Sequence, residues 1–312
     1  MNETVAPTAS KARVLFVDDE PRVLTTMRVL FRAQYQVFTA EGGAQALELL
    51  KTQPVDVIVS DQRMPGMTGI ELLRAARELN PNAMRILLTG YSDLNAIIGS
   101  INEGEIFRFV SKPWANEELT TTVARAVAAA RSSAAAAAGD APAPTIGPAP
   151  GVLVLDDDPT VARRIQSILG SDFRVFGATT MDEAVSIMER ERIGVVISET
   201  RVQSNPVIGL IGTLKQHHPE LVSVILTDRA DAGTAIELIN QGQIYRFITK
   251  PIQDSQCKIT VSSALRQHHR LAQSPELHQR YAVAAPPPAA VAPAAKLLDR
   301  IRSLRTVVKR WV

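Results

Sequence analysis

The 312-residue chain is long enough for two domains of ordinary size, and its 46% apolar residues permit real hydrophobic cores. A net charge of +2 argues against a nucleic-acid-binding surface over the whole chain, and the single cysteine, Cys257, rules out a disulfide framework. Met1 to Arg13 hold no apolar signal-peptide segment, and no apolar run reaches membrane-spanning length, which predicts a soluble, cytoplasmic protein.

Short apolar strands alternate with amphipathic helical segments through the first part of the chain. The predicted strands cover residues 14–17, 35–39, 55–60, 85–88 and 106–110. After each strand, apolar residues recur at helical spacing, and Pro or Gly marks most of the segment ends. Five β-α units with short connections predict a parallel sheet with helices on both faces, which is a doubly wound α/β domain.

Polar side chains stand where four of these strands end. Asp18 and Asp19 follow the first strand, Asp61 the third, Thr89 the fourth and Lys112 the fifth. Because the carboxyl ends of parallel strands meet at one edge of a sheet, we expect these side chains to converge.

The expected cluster suits phosphoryl transfer. Three crowded carboxylates repel one another, and Mg²⁺ relieves that repulsion while keeping positions for water and phosphate. A metal ion and a lysine neutralise a phosphoryl group, a threonine hydroxyl donates to it, and one aspartate serves as the nucleophile. Asp61 is the candidate nucleophile because it stands alone at its strand end, whereas the adjacent Asp18 and Asp19 are better placed to hold the metal.

The whole pattern returns later in the chain at a constant offset. Asp156, Asp157, Thr227 and Lys250 repeat the strand-end residues, and 156 − 18 and 250 − 112 both equal 138. A constant offset indicates duplication of an entire domain without insertion.

The duplicate differs at the acceptor position, where Glu199 replaces the aspartate. Its carboxylate is one methylene longer, and the following turn has Gln203 and Ser204 in place of Pro65 and Gly66. A displacement of about 1 Å at a reacting centre costs on the order of a hundredfold in rate, so we expect no phosphorylation of Glu199. Two alternatives stay open: a salt bridge that holds an active-like shape by reaching towards Thr227 and Lys250, or simple decay of the acceptor.

Four motifs together resemble the receiver domains of bacterial two-component response regulators. They are VDDEP at 17–21, SDQRMPG at 60–66, LTG at 88–90 and SKP at 111–113. The resemblance covers residues 12–131 and again 151–273, and it implies two flavodoxin-like folds. It also implies phosphoryl transfer from a histidine-kinase phosphohistidine to Asp61.

The same resemblance implies roles for the other strand-end residues. Asp18, Asp19 and Asp61 would hold Mg²⁺, and Lys112 would bind the phosphoryl group. Thr89 would switch together with the aromatic Phe109. The degenerate second site would comprise Asp156, Asp157, Glu199, Thr227 and Lys250.

The predicted organisation has six parts. These are a flexible N-terminus over 1–11, a phosphorylatable receiver over 12–131, an Ala/Pro-rich linker over 132–150, a degenerate receiver over 151–273, a second Ala/Pro-rich linker over 274–295, and a basic amphipathic helix over 296–312. The apolar seam of the last part comprises Leu297, Ile301, Leu304, Val308 and Trp311. It suits a membrane surface, a partner helix, a coiled coil or a helix folded back on its own domain.

The predicted function is two-component phosphorelay signalling by a response regulator with no attached effector enzyme. A sensor histidine kinase or phosphotransfer protein would be the donor, an unidentified protein the target, and the activity at most autophosphorylation and autodephosphorylation. A homodimer and membrane contact through the C-terminal helix stay open, and no nucleic-acid partner is expected.

Two other functions fit the sequence less well. A scaffold or adaptor without phosphotransfer would leave the five strand-end residues without a role. A haloacid-dehalogenase-type phosphatase also uses an aspartyl nucleophile, but it needs Asp-x-Asp where this chain has adjacent acids.

Smaller features predict ordinary structural roles. Cys257 is expected to be a small buried hydrophobe. All five histidines are expected on the solvated surface: His217, His218, His268, His269 and His278.

Overall fold

A computed structural model describes residues 11–90, 106–136, 149–228, 232–242 and 244–273, together with His278 and Arg300. The described residues form two compact units, the first of residues 11–90 and 106–134 and the second of those that follow. Each unit contains a five-stranded parallel sheet flanked by helices, which confirms the predicted fold class.

The first sheet has the strand order β2-β1-β3-β4-β5. Its strands are β1 Arg13–Val17, β2 Gln36–Ala40, β3 Val57–Asp61, β4 Met84–Thr89 and β5 Arg108–Ser111. The helices are α1 Pro21–Phe31, α2 Gly43–Thr52, α3 Gly69–Leu79 and α4 Asn116–Ala136. All five predicted strands are present with ends shifted by one or two residues, and the helix predicted before Gly104 lies outside the described residues.

The second sheet repeats this topology in the order β12-β11-β8-β6-β7. Its strands are β6 Gly151–Leu155, β7 Val175–Ala178, β8 Ile193–Ser198, β11 Val222–Thr227 and β12 Arg246–Thr249. The helices are α5 Pro159–Leu169, α6 Met181–Met188, α7 Ile208–His217, α8 Ala232–Gly242 and α9 Asp254–Gln273. A small antiparallel hairpin, β9 Arg201–Val202 and β10 Asn205–Pro206, was not predicted from the sequence.

The start of α3 positions the loop that follows β3. Thr68 and Glu71 form a capping box, in which each side chain accepts a hydrogen bond from the other residue's backbone N–H. Leu72 and Leu73 are buried, so the helix packs against the sheet. A Cβ atom at Gly69 would lie 2.1 Å from the Asp61 carbonyl oxygen, so only glycine lets the helix start this close behind β3.

Two predicted surface histidines are in fact buried, so that prediction was wrong for His218 and His268. His268 lies on the face of α9 that packs on the sheet, one turn after Ala264, and its Nδ1 is 2.9 Å from the Glu220 carbonyl oxygen. The helical period places His268 on the apolar stripe of α9, and that signal outweighs the polarity of its neighbours. Cys257 lies on the same stripe and is buried, as predicted.

Membrane contact through the C-terminal segment stays a prediction, because only Arg300 of residues 296–312 is described. Its guanidinium binds both carboxylate oxygens of Glu189 at 2.8 Å and the Ser186 hydroxyl at 2.8 Å. Asp182 lies one turn earlier on the same face of α6, 3.4 Å from Arg300. These contacts place Arg300 against α6 of the second domain. Within the described ranges, no helix combines the length and the apolar character that crossing a membrane requires.

A long cation is buried beside the start of the fourth strand in each sheet. Arg85 of β4 is fully buried and donates to the Ala83 carbonyl at 3.0 Å. In the second unit Lys215 of α7 donates to the Leu221 carbonyl, which corresponds to Ala83 at the offset of 138. Burial lowers the pKa of Lys215 to about 8, although the charge of nearby Glu220 opposes this shift.

We predict that the burial of Lys215 makes the stability of the second domain depend on pH. The lysine loses its proton near pH 8 in the folded state but near 10.5 when unfolded, so the unfolded chain binds more protons between these values. The free energy of unfolding should therefore rise by up to about 3 kcal/mol from pH 8 to 10.5. Thiol labelling of Cys257 across a denaturant series follows this domain specifically, because Cys257 is the single cysteine and is buried.

The control is Lys215→Met, which keeps most of the side-chain volume and has no titrating group. The free energy of unfolding of the parent minus that of Lys215→Met should increase between pH 8 and pH 10.5. A difference that stays constant would show that Lys215 keeps an ordinary pKa in the folded domain.

Candidate functional site

The strand order of the first sheet brings three of the predicted site residues into contact. Asp18 follows β1, Asp61 ends β3 and Lys112 follows β5, all at the carboxyl edge of the sheet. The Lys112 ammonium lies 2.5 Å from Asp61 Oδ1 and 3.2 Å from Asp18 Oδ2. One lysine therefore joins the two strand-end carboxylates.

The charges of this cluster are partly withdrawn from solvent. Burial raises the pKa of the Asp18 carboxyl, and the backbone N–H of Glu20 and the nearby Lys112 only partly oppose that shift. Burial alone would lower the pKa of Lys112, but its bonds to Asp61 and Asp18 outweigh burial and raise the pKa. The three side chains thus depend on one another for charge balance.

The loop after β3 holds the Asp61 carboxylate from the other side. The backbone N–H of Arg63 donates to Asp61 Oδ2 at 2.8 Å, so each carboxylate oxygen has a donor. Gly66 has a φ of 77°, which favours glycine and explains the Pro-Gly turn read from the sequence. The N–H of Gly69 returns to the Gln62 carbonyl at 3.0 Å and closes the loop.

The remaining predicted residues of this site line its rim or lie beneath it. Asp19 is exposed next to Asp18. Thr89 is buried at the end of β4, where its hydroxyl donates to the Gly90 carbonyl at 3.2 Å. Phe109 is buried in β5. Among the described residues, no three Asp, Glu, His or Cys side chains form a ready-made metal cage, and Lys112 spans the space between Asp18 and Asp61.

The second site has the same frame with a different acceptor. The Lys250 ammonium lies 2.7 Å from Asp156 Oδ2 and 3.0 Å from Glu199 Oε2. The other Glu199 oxygen accepts from the N–H and the hydroxyl of Thr200, at 2.9 and 3.1 Å. Thr227 is buried at the end of β11. The longer glutamate side chain therefore reaches the lysine, as its length suggested.

The unpredicted β9–β10 hairpin occupies the place of the acceptor loop. Gln203 and Ser204 have φ values of 48° and 63°, so a tight turn forms without glycine. The Gln203 N–H donates to Asp157 Oδ1 at 2.7 Å. Sequence reasoning missed the hairpin because left-handed turns are signalled by Gly and Asn, and neither residue stands at these two positions.

Comparison with known proteins identifies the repeated unit. Residues 14–124 and 152–262 each match the response regulator receiver domain family. The hydrogenase transcriptional regulatory protein HoxA of Cupriavidus necator is 43% identical over 119 residues, which are 38% of this chain and 25% of that protein. The chain thus spans about a quarter of the length of that regulator.

Two further proteins are similar over one receiver-sized segment. The sporulation initiation phosphotransferase F of Bacillus subtilis is 31% identical over 114 residues, which are 36% of this chain and 91% of that protein. Among solved structures, the signal receiver domain of an HD domain-containing protein from Pseudomonas fluorescens Pf-5 has 35% identity and a TM-score of 0.40. The alignment covers 42% of this chain and 98% of the chain in that structure.

We predict that Lys250 stabilises the second domain more than Glu199 does. Lys250→Met leaves the buried Asp156 carboxylate without a cation, which should lower the free energy of unfolding by about 1–3 kcal/mol. Glu199→Gln keeps the shorter Lys250–Asp156 pair and should cost less than about 1 kcal/mol. The measurement is the denaturant midpoint of Cys257 labelling in each variant. An equal decrease in the free energy of unfolding in the two variants would contradict the prediction.

Proposed function

Because the chain belongs to the response regulator receiver domain family, we propose that its first domain is a two-component switch that accepts a phosphoryl group on Asp61. The observation that carries this proposal is the Asp61 carboxylate at the carboxyl edge of the sheet, 2.5 Å from the Lys112 ammonium. The proposed donor is a histidine kinase or a phosphotransfer protein, and the proposed output is contact with another protein.

The contacts around Asp61 support such a transfer. The phosphorus–nitrogen bond of the donor phosphohistidine breaks as an Asp61 oxygen bonds to phosphorus, giving an acyl phosphate and a histidine that takes up a proton. Lys112 stays close enough to neutralise the transferred phosphoryl oxygens. Thr89, buried at the end of the neighbouring β4, brings a hydroxyl donor to the same edge. Its proposed role is to change conformation together with Phe109 when Asp61 is phosphorylated.

The donor set at this edge suits Mg²⁺, the ion that receiver domains generally bind. Asp18 and Asp61 bring carboxylate oxygens to one point, and Asp19 adds an exposed carboxylate beside them. Oxygen ligands of this kind are those that Mg²⁺ prefers. The bound ion would neutralise charge on the phosphoryl oxygens, and we propose these three residues as its ligands.

For the second domain we propose a receiver that is not phosphorylated. Glu199 already provides a carboxylate to Lys250, and the hairpin N–H of Gln203 binds Asp157. Asp61 makes the corresponding contact with Lys112 in the first domain, so the Glu199–Lys250 contact agrees equally with an active-like arrangement and with simple decay of the acceptor.

We predict that acetyl phosphate labels the chain at one position. The parent should take up close to one phosphoryl group per chain, and Asp61→Asn should take up none. Glu199→Gln is the matched control at the corresponding position of the second domain and should label like the parent. The measurement is intact-protein mass with hydroxylamine release of the acyl phosphate, and label that persists in Asp61→Asn would refute the assignment.

We also predict that millimolar Mg²⁺ stabilises the first domain by linkage, because the ion relieves repulsion among the site carboxylates. The Trp114 ring lies 5.6 Å from the Lys112 ammonium, so its fluorescence reports on this domain. A Trp311→Phe background leaves Trp114 as the single tryptophan. The Trp114 melting temperature should rise by several degrees, and Asp19→Asn should reduce the rise.

The control for this experiment is Glu48→Gln, an exposed acid of α2 whose described partner is Lys51. Its response to Mg²⁺ should equal that of the parent. If Mg²⁺ does not change the melting temperature measured by Trp114 fluorescence, Asp18, Asp19 and Asp61 are not its ligands.

A further inference from the structure

A cavity of about 430 Å³ opens in the second domain between α5, β7 and the first turn of α6. Its apolar surface comes from Val154, Ala162, Val175 and Ala178. Cavities of this size lie within the range that holds small ligands. Phosphorylation does not use this space, although Asp156 lines both the cavity and the Lys250 contact.

The first domain has larger side chains at the corresponding positions. At the constant offset of 138, Leu24 corresponds to Ala162, Thr39 to Gly177 and Arg28 to Gln166. Leu24 is buried, and Arg28 Nη2 donates to the Thr39 hydroxyl at 2.6 Å. This hydrogen bond joins α1 to the edge strand β2.

The second domain lacks the corresponding hydrogen bond between helix and edge strand. Gly177 has no side chain with which to bridge from β7, and Ala162 is three carbons shorter than leucine. The Gln166 amide turns away to the Gly170 and Phe173 carbonyls, at 2.7 and 3.4 Å. The helix instead packs directly on the strand at this point, because a Cβ atom at Gly177 would lie 2.8 Å from the Ala162 Cβ, and the cavity opens beside this contact.

The rim of this cavity is acidic. Asp158 Oδ1 accepts from the Thr160 N–H at 2.8 Å, and Glu183 Oε2 accepts from the Thr179 N–H at 2.8 Å. The Thr160 hydroxyl also bonds to Asp158, and the Thr179 hydroxyl donates to Glu183 Oε2 at 3.2 Å. Among the described residues, no hydrogen bond reaches Glu183 Oε1. Asp156 is already balanced by Lys250, so two carboxylates face one lining guanidinium, that of Arg163.

We propose that this cavity binds a small organic cation, an ammonium or guanidinium group on a short apolar stem. The apolar surface receives the stem, and Asp158 and Glu183, on different walls, receive the charge. An anion would meet the two carboxylates, and a neutral molecule would leave their charge unbalanced. The site is separate from phosphorylation of Asp61, so either proposal can fail without the other.

The test is a titration of the full-length protein, labelled with ¹⁵N-glycine, with n-butylammonium. The Gly177 amide should shift and saturate, whereas the amides of Gly43 and Gly69 in the first domain should not move. n-Butanol and butyrate are probes of equal chain length without the positive charge. Butanol should bind at least about fivefold more weakly than the ammonium, and butyrate should give no saturable shift.

Matched variants test whether the two carboxylates and the cavity itself are needed for binding. Asp158→Asn combined with Glu183→Gln keeps both backbone hydrogen bonds and should weaken n-butylammonium binding about fivefold. Ala162→Leu restores the first-domain side chain and should abolish binding, with Cys257 protection confirming that the domain is folded. Asp172→Asn removes an exposed carboxylate that does not line the cavity and should bind like the parent. No saturable shift at Gly177, equal binding of butanol, or a double variant that binds like the parent would overturn the proposal.

Discussion

A lysine ammonium held between two strand-end carboxylates is the interaction on which the functional edge of each domain depends. Lys112 joins Asp61 to Asp18, and Lys250 joins Glu199 to Asp156. Burial makes such carboxylates costly to ionise without a nearby cation. In the first domain the parallel sheet brings the cation to these acids, because Asp18 follows β1, Asp61 ends β3 and Lys112 follows β5 at the same edge.

The two domains share this frame but distribute its bonds differently. In the first domain the lysine is closest to Asp61, and the exposed Asp19 accepts no hydrogen bond from the described residues. In the second, the lysine is closest to Asp156, and the β9–β10 hairpin binds Asp157. The two arrangements therefore differ most at the second acid of the first strand end, which is exposed as Asp19 in the first domain and bound by the hairpin as Asp157 in the second.

The duplication also changed packing away from these sites. The carbonyl before the fourth strand of each sheet is satisfied by Arg85 in one domain and by Lys215 in the other. Arg28 bonds to Thr39 in the first domain, whereas the corresponding Gln166 and Gly177 of the second domain line a cavity. The sheet tolerates both kinds of substitution. The exchange of Arg85 for Lys215 keeps a hydrogen-bond donor on the buried carbonyl, and the substitutions beside Gly177 lie at the edge strand.

The sequence by itself determined the fold class, the duplication and the strand-end positions of Asp18, Asp61 and Lys112. These follow from local patterns, because the period of the apolar residues marks each element and the end of a strand marks the sheet edge. Only the tertiary structure decided that Lys215 is buried, that a hairpin without glycine binds Asp157, and that a cavity opens beside Gly177. Each of these depends on which distant side chains pack against a residue, and no local period or composition carries that information.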